Sequence, residues 1–242
     1  MQADFRGRVA LVTGASSGIG RAVVRALAER GATVCLAGRE ASRLYALRDE
    51  MQALSPAHAY VSDLAQDEDL DRLREFLVRD HARLDLLIHS AGAISLGTIE
   101  SMPVSEFDWQ YRVNLRAPFL LTQMLLPLLK AAQGQIVFVN SSVGTRVKER
   151  VGAYAATKHA LKAIADTLRM ETNQFGIRVL SVYPGNTATP MQQAIQQQSG
   201  QLIAPENLLA PEDVAAVIVN ALLLPRTAEV TDINIRPLGK AR

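Results

Sequence analysis

Two side chains able to exchange a proton stand four residues apart near the middle of the chain. Tyr154 and Lys158 belong to the run Tyr-Ala-Ala-Thr-Lys, and residues at this spacing share one face of a helix. A free tyrosine has a pKa of about 10, and an ammonium one turn away favours the phenolate and lowers that pKa. The pair therefore predicts proton transfer at neutral pH. A solvated helix face is the alternative for this spacing taken alone.

A glycine-rich run supplies the second chemical signal. Gly14, Gly18 and Gly20 stand in Thr-Gly-Ala-Ser-Ser-Gly-Ile-Gly, between a short apolar segment and a longer amphipathic one. Glycines let the backbone turn sharply and approach a diphosphate, and the N-terminus of the next helix offers unpaired N–H groups to an anion. Ser16 and Ser17 add hydroxyl donors. This position favours a phosphate-binding turn over a plain glycine turn.

The elements that must position these groups alternate along the whole chain. Short apolar runs alternate with amphipathic ones, which predicts βαβ units and a parallel sheet covered by helices on both faces. The expected fold class is α/β, a Rossmann-type doubly wound parallel sheet in a single domain over residues 1–242. The predicted strands are 9–12, 33–37, 57–61, 84–88, 135–139, 177–182 and 230–235, and the predicted helices are 18–30, 40–54, 67–81, 105–131, 152–173 and 211–224.

Composition narrows the class of protein. The formal net charge of +2 on 242 residues is too small to indicate a nucleic-acid partner. Cys35 is the one cysteine, so no intrachain disulfide forms, and its apolar neighbours predict a buried residue. No apolar run approaches the roughly 18 residues of a spanning helix, and the N-terminus lacks the apolar core of a signal peptide. We expect a cytoplasmic protein with no metal site, no nucleic-acid partner and no membrane partner.

The order of these motifs resembles the short-chain dehydrogenase/reductase family. The glycine turn has the spacing Gly-x-x-x-Gly-x-Gly, the Tyr-x-x-x-Lys run follows it, and the family's order continues from about Arg8 to the C-terminus. The resemblance implies hydride transfer between a nicotinamide dinucleotide and a small-molecule carbonyl or alcohol. It also implies that Lys158 holds the nicotinamide ribose, and that oxidised nicotinamide helps to lower the pKa of Tyr154.

Two further catalytic residues follow from this resemblance. Ser141 lies thirteen residues before Tyr154, the family's separation for its catalytic serine, whereas Ser142 lies twelve before. Adjacent residues at a strand end point to opposite faces, so we favour Ser141 as the group that stabilises the reacting oxygen. Asn114 lies within a helical pattern where asparagine fits poorly. The resemblance implies that it holds a water linking Lys158 to solvent, and a packed helix kink is the alternative.

The end of the second strand indicates which nicotinamide cofactor is used. An NAD site has a carboxylate there for the ribose 2′-hydroxyl, but this chain has Gly38 and Arg39. Arg39 can pair with a 2′-phosphate, a contact of roughly 1.5–3 kcal/mol. We therefore predict that NADP(H) is preferred over NAD(H). Arg43 adds to this preference, and Ser17 softens it because the family often has a basic residue there.

Other cofactor contacts are implied only by the resemblance. Asp63 matches the family's adenine contact, although a helix cap is the common role of such an aspartate. The family's Asn-Asn-Ala-Gly becomes His89-Ser90-Ala91-Gly92 here, and we interpret His89 as a hydrogen-bonded core histidine. The segment after the sixth strand resembles the part that wraps the nicotinamide end. The full predicted set is Gly14, Ser16, Ser17, Gly18, Ile19, Gly20, Arg39, Asp63, Leu64, Ala91, Gly92, Tyr154, Lys158, Pro184, Gly185, Thr187 and Thr189.

Three segments are expected to surround the substrate: the loop after Gly92, residues 143–151, and residues 191–205. We interpret the glutamine-rich segment 191–205 as a lid rather than a polar excursion. The basic residues at 146, 148 and 150 are interpreted as a solvated loop, with contact to an acidic substrate as the alternative. The segments predict a partly apolar pocket, lined by Ile94, Leu96, Val143, Val147 and Met191.

Oligomeric state and rival functions complete the predictions. Five leucines offer more apolar surface than one core face needs, which predicts a homotetramer or homodimer. They are Leu120, Leu121, Leu125, Leu128 and Leu129.

Two rival functions remain open. One rival function is a redox-silent NADP(H)-binding regulator, against which the complete Ser, Tyr and Lys set weighs. Another is an S-adenosylmethionine-dependent methyltransferase, but the serines of the glycine turn and Arg39 favour phosphates.

Overall fold

A seven-stranded sheet lies at the centre of the molecule, with strand order β3-β2-β1-β4-β5-β6-β7. The computed structural model describes residues 4–239. Every pair of neighbouring strands is parallel, and the chain reverses its direction of winding between β1 and β4. This topology confirms the predicted fold class. The strands are β1 (Val9–Thr13), β2 (Thr33–Gly38), β3 (Ala57–Val61), β4 (Leu86–His89), β5 (Gln135–Val139), β6 (Arg178–Pro184) and β7 (Asp232–Ile235).

Helices cover both faces of the sheet because alternate strand residues point to opposite sides. Ala10 and Val12 of β1 belong to one apolar core, which includes residues of α1, α2 and α8. Leu11 belongs to the other core, with residues of α3, α5 and α6. The helices are α1 (Gly18–Ala28), α2 (Ala41–Gln52), α3 (Asp67–Asp80), α4 (Val104–Tyr111), α5 (Ala117–Ala132), α6 (Gly152–Thr172), α7 (Pro190–Ser199) and α8 (Pro211–Leu222).

The long helical pattern predicted over 105–131 is interrupted in the structure. α4 and α5 are joined by a π-helical turn over Arg112–Arg116, and Asn114 lies inside that turn. Such wide turns are rare and often occur at functional sites. The single continuous helix was therefore wrong at this point, because the apolar periodicity carries no signal for one widened turn.

Sequence analysis predicts no helix in the segment 191–205, yet α7 occupies its first half. The Thr189 side chain accepts a hydrogen bond from the Gln192 N–H at 3.2 Å, and Pro190 stands in the first turn. Both features start helices. Gly200, with φ +68°, closes the helix in the left-handed conformation. The repeated glutamines hide this helix because they give it no clear apolar face.

The leucines that suggested an oligomer lie in or against the core of the same chain. Leu121, Leu125 and Leu129 are buried in the core beneath α5. Leu120 and Leu128 are half-buried and pack against the same core. Because all five contribute to the core of their own chain, they do not require a second copy, and the homo-oligomer stays a prediction.

Two further findings concern residues 4–239. None of the helices described there combines the length and the apolar character needed to cross a bilayer. Within the same residues, no cluster of three or more His, Cys, Asp or Glu side chains is arranged to hold a metal ion. Cys35 is buried, as predicted, and its Sγ lies 3.3 Å from His81 Nε2. Burial raises the pKa of its thiol to about 12.

His89 is a hydrogen-bonded core residue, in agreement with the interpretation of the sequence. Its Nε2 lies 2.8 Å from the Thr122 hydroxyl oxygen, and its ring stacks on Phe138 with centroids 5.0 Å apart. Burial, and to a smaller extent the charge of Lys158, lowers the pKa of His89 to about 3. The imidazole is therefore neutral at physiological pH and serves to join β4 to α5.

Replacing His89 with asparagine is predicted to reduce the acid sensitivity of the fold. The unfolded histidine has a pKa of about 6.5, so below that pH the unfolded chain binds more protons than the folded protein, and stability falls as pH falls. As the pH falls, we expect the free energy of unfolding to decrease faster for the parent protein than for His89→Asn. The two slopes differ by up to about 1.4 kcal/mol per pH unit. Urea denaturation between about pH 6.5 and 4 measures the difference. The control variant is His58→Asn, because His58 is exposed. If the free energy of unfolding of His89→Asn depends on pH in the same way as that of His58→Asn, the prediction is contradicted.

Candidate active site

A cleft of about 1320 Å³ opens where the strands of the sheet end. Parallel α/β sheets bind ligands outside the carboxyl ends of their strands, at the point where the winding reverses. All of the predicted cofactor residues line this cleft, together with Ser141, Tyr154 and Lys158. Asn114 is the one predicted site residue that does not line it. The cleft thus brings together residues from the whole length of the chain.

The glycine turn forms a tight cradle at one end of the cleft. Gly14 has φ +65°, and a Cβ there would lie 2.7 Å from Ala91 Cα. A Cβ at Gly20 would lie 2.3 Å from the Gly14 carbonyl oxygen, and one at Gly18 would lie 2.9 Å from Thr189 Cγ2. Side chains at these positions would fill the space beside the N-terminus of α1. The cradle therefore fits a diphosphate, whose oxygens accept hydrogen bonds from such a terminus.

Hydroxyl groups beside the cradle are available to a ligand. Ser17 precedes α1 but makes no side-chain capping bond to it, and both Ser16 and Ser17 line the cleft.

Thr13 has a different role that sequence analysis missed. Its Oγ1 accepts hydrogen bonds from the N–H groups of Ser90 and Ala91, at 3.1 and 3.2 Å. It therefore ties the end of β1 to the end of β4, and its only signal was a hydroxyl at the end of an apolar strand.

The predicted pair on α6 is buried at the cleft. The side chains of Tyr154 and Lys158 are 8% and 2% exposed, and both line the cleft. Lys158 Nζ donates a hydrogen bond to the Val139 carbonyl oxygen at 3.0 Å and lies 5.7 Å from the centre of the Tyr154 ring. The lysine ammonium thus lies near the tyrosine ring.

The pKa values of this pair differ from the expectation drawn from the spacing. Burial raises the pKa of Tyr154 to about 12, although the nearby Ser141 hydroxyl acts to lower it. Burial also lowers the pKa of Lys158 to about 8. Removal from water penalises the charged form of each group, and burial is the largest cause of both shifts. In this structure the phenol is therefore protonated at neutral pH.

Two serines that follow the end of β5, Ser141 and Ser142, also line the cleft. Ser141 Oγ accepts a hydrogen bond from the Val143 N–H at 3.3 Å at the start of a short 3-10 turn. The Ser141 hydroxyl acts to lower the pKa of Tyr154. The choice of Ser141 over Ser142 stays a prediction.

Asn140 precedes this serine and was missed by sequence analysis. Its Nδ2 donates to the Lys158 carbonyl oxygen at 3.0 Å, and its Oδ1 accepts from the Ser141 N–H at 2.8 Å. This buried amide joins the end of β5 to α6. The only signal in the sequence was a polar residue that directly follows five buried strand positions.

Asn114 lies behind the cleft, where its side chain connects three segments. Its Oδ1 accepts from the Ala93 N–H at 2.7 Å, and its Nδ2 donates to the Ala93 carbonyl oxygen at 2.8 Å and to Thr157 Oγ1 at 3.1 Å. The Thr157 hydroxyl in turn donates to the Tyr154 carbonyl oxygen at 2.8 Å. Asn114 therefore holds α6 against the loop after β4 and the π-helical turn.

Charged residues line the end of the cleft beside β2. Arg39 and Arg43 are exposed there, and neither forms an ion pair within the part of the chain that is described. Asp63 also lines this end, and its Oδ1 accepts a hydrogen bond from the Ala65 N–H at 3.0 Å. This bond closes a local turn before α3, whose N-cap residue is Gln66, so Asp63 does not cap that helix.

The opposite end of the cleft is partly apolar. Ile94, Leu96, Val143 and Met191 line it as predicted. Val147 does not, and its side chain is 77% exposed, so its assignment to the pocket was wrong. α7 contributes residues on one face to the cleft, including Met191, which sequence analysis placed in a lid. The structure shows where this segment lies, and its closure as a lid stays a prediction.

The fold and this cleft define a Rossmann-type α/β protein with a glycine cradle and a buried tyrosine–lysine pair. A family model described as short chain dehydrogenase matches residues 8–200. The chain therefore belongs to the short-chain dehydrogenase family, and it is an oxidoreductase.

Relatives and solved structures agree with this assignment over nearly the full chain. An uncharacterized oxidoreductase of Staphylococcus epidermidis is 30% identical over 237 residues, which are 98% of this chain and 100% of that protein. An alcohol dehydrogenase of the archaeon Thermococcus sibiricus, complexed with 5-hydroxy-NADP, is 25% identical, covers 97% of this chain and 98% of its own, and has a TM-score of 0.89. A short chain dehydrogenase of Shigella flexneri, complexed with NADP, is 30% identical, covers 97% and 99%, and has a TM-score of 0.88.

Alanine at Gly14 is predicted to damage the cradle more than alanine at Gly7. Both glycines have positive φ, +65° and +74°, so both variants pay a similar backbone cost of roughly 1–2 kcal/mol. Only at Gly14 does the added methyl meet backbone atoms, because a Cβ at Gly7 has open space around it. We expect Gly14→Ala to weaken NADPH binding about tenfold or more, and Gly7→Ala to leave it unchanged. Fluorescence titration with NADPH measures both affinities, and equal values for the two variants would contradict the role of the cradle.

Proposed function

We propose that this oxidoreductase transfers a hydride between NADP(H) and a small-molecule carbonyl or alcohol. The observation that carries the proposal is that Ser141, Tyr154 and Lys158 line the same cleft as the glycine cradle. A proton-transfer group and a phosphate site within one cleft suit a reaction that needs a dinucleotide and a proton together.

The residues present fit a nicotinamide dinucleotide along the cleft. The glycine turn and its serines would hold the diphosphate, with Asp63 and Leu64 beside the adenine and Ala91 and Gly92 beside the central part. At the other end, the Thr187 N–H makes no hydrogen bond within residues 4–239, which leaves it available to the nicotinamide carboxamide. Its hydroxyl donates to the Gly185 carbonyl oxygen at 3.0 Å. Pro184 and Thr189 line the same end.

In the direction of reduction, Tyr154 acts as the general acid. The bound reduced cofactor supplies the hydride that the carbonyl carbon receives. Tyr154 donates its phenolic proton to the carbonyl oxygen as that oxygen gains negative charge, and its pKa of about 12 keeps the proton in place until then. Ser141 donates a hydrogen bond to the same oxygen and stabilises the developing charge.

Lys158 stabilises the phenolate that remains after proton transfer. Its pKa of about 8 leaves it mainly protonated at neutral pH, so a positive charge lies near the ring in a site of low polarity. Lys158 also contacts the nicotinamide ribose in this proposal. We place Asn114 and the π-helical turn on the path by which a water returns a proton from solvent to Lys158.

The preference for NADP(H) over NAD(H) is proposed from the charges at the β2 end of the cleft. Arg39 follows Gly38, the position at which an NAD site has a carboxylate. Both Arg39 and Arg43 line the cleft, and their positive charge suits a 2′-phosphate. The redox-silent regulator would share this cradle, so turnover separates the two functions.

Removing the Tyr154 hydroxyl is predicted to abolish most of the turnover. Tyr154→Phe keeps the ring but removes the general acid, which typically contributes roughly a hundredfold to ten-thousandfold in rate. We expect kcat/KM to fall by that factor when NADPH oxidation is followed with a panel of carbonyl compounds. Tyr183→Phe is the matched control, because Tyr183 is also buried but lies outside the cleft. Undiminished turnover by Tyr154→Phe would contradict the mechanism. NADPH binding without any turnover by the parent protein would favour the regulator.

Removing the charge of Arg39 is predicted to erode the cofactor preference. A charge-assisted contact to the 2′-phosphate is absent from NADH, so Arg39→Ala reduces kcat/KM for NADPH and spares that for NADH. We expect the NADPH-to-NADH ratio to fall about tenfold. Arg74→Ala supplies the control, since Arg74 is exposed on α3 and does not line the cleft. Equal use of both cofactors by the parent protein would refute the proposed preference.

A further inference from the structure

Apart from the buried Lys158 beside Tyr154, the charged side chains that line the substrate end of the cleft belong to one segment. Lys148, Glu149 and Arg150 belong to the loop between β5 and α6, and all three line the cleft. The lining residues contributed by the loop after β4 and by residues 190–207 are uncharged. A charged group of the substrate that lies away from the reacting carbonyl is therefore met by this short segment.

Both cations of the segment are available to a ligand. Lys148 and Arg150 are exposed, and within the described residues 4–239 neither side chain forms an ion pair or a hydrogen bond. Glu149 between them is likewise unpaired in that part of the chain. Two cations and one carboxylate give the segment a net positive charge beside the uncharged residues of the other two segments.

The backbone of this segment is held in a strained conformation. Arg150 has φ +63°, in the left-handed region that residues with a side chain seldom adopt. Its carbonyl oxygen accepts a hydrogen bond from the Gly97 N–H at 2.9 Å, and Gly97 also forms a parallel bridge with Val151. Strain that the surrounding structure maintains is concentrated at functional sites. These contacts fix the position of Arg150 relative to Tyr154, four residues further along the chain.

We propose that Lys148 and Arg150 bind an anionic group, a carboxylate or a phosphate, on the carbonyl substrate. Arg150 offers paired N–H donors that match such a group, and Lys148 adds a second charge. The apolar side chains of Ile94, Leu96 and Met191 suit a short hydrocarbon part between the anion and the reacting carbonyl. This inference rests on the proposed function and adds the chemical class of the substrate to it.

Matched pairs of ketones test the inference. Each pair consists of a keto acid and its methyl ester, or a keto phosphate and the corresponding alcohol, over a series of chain lengths. The measured quantity is the ratio of kcat/KM for the anionic member to that for its neutral partner, with NADPH saturating. We expect Lys148→Gln and Arg150→Gly each to lower the ratio about threefold to tenfold. Glycine at position 150 suits the left-handed backbone, so this variant removes the charge without adding strain.

Two further variants test whether the ratio of kcat/KM values changes in the direction that each charge predicts. Glu149→Gln removes the opposing charge, so we expect the ratio to rise. Arg146→Gln removes an exposed cation of the same loop that does not line the cleft, and the ratio stays at the parent value. Raising the salt concentration lowers the ratio in the parent and has less effect in Arg150→Gly, because exposed charges are screened.

The outcomes separate this inference from the proposed function. If the ketones are reduced but the ratio is the same in every variant, the segment is a solvated loop and the inference is overturned while the proposed function stands. If no ketone oxidises NADPH, the proposed function fails, and calorimetric titration of the same acids and esters into the NADP⁺-saturated protein decides the inference. Weaker binding of the acids alone in Lys148→Gln and Arg150→Gly supports it, and unchanged binding of the acids overturns it.

Discussion

The buried ammonium of Lys158 is the constraint on which the rest of the site depends. Taking a charged group out of water is costly, and the protein compensates with a hydrogen bond from Nζ to the Val139 carbonyl oxygen at 3.0 Å. Burial lowers the pKa of this lysine to about 8, so the ammonium persists at neutral pH with its attraction for anions little screened. In the proposed mechanism, this ammonium stabilises the negative charge that develops on Tyr154 or on a reacting oxygen.

The fold maintains this arrangement through buried polar side chains that connect neighbouring strand ends. Asn140 joins the β5 end to the backbone of Lys158, Asn114 joins α6 to the loop after β4, and Thr13 joins that loop to β1. Each satisfies backbone groups that would otherwise be buried without partners. Because these contacts converge beside the reversal between β1 and β4, the glycine cradle and the tyrosine–lysine pair open into one cleft.

Much of this could be predicted from residue types and spacing, and the exceptions have physical causes. The strands, the cradle and the shared face of Tyr154 and Lys158 follow from local patterns, and so does the buried environment of His89. α7 was missed because its glutamines show no apolar periodicity, and the π-helical turn because one widened turn leaves no trace in the pattern. The pKa of Tyr154 could not be obtained from spacing, since it depends on burial by residues distant in the chain. The exposure of Val147 likewise depends on how its loop lies against the rest of the cleft.

In the proposed mechanism, the buried phenol of Tyr154 becomes more acidic when positive charge occupies the cleft beside Lys158. The most direct test is ultraviolet difference titration of tyrosinate absorbance in the free protein and with saturating NADP⁺, with the Tyr154→Phe signal subtracted from each. We predict that residue 154 ionises near pH 12 in the free protein and at a clearly lower pH in the complex. Identical titration curves with and without NADP⁺ would contradict it.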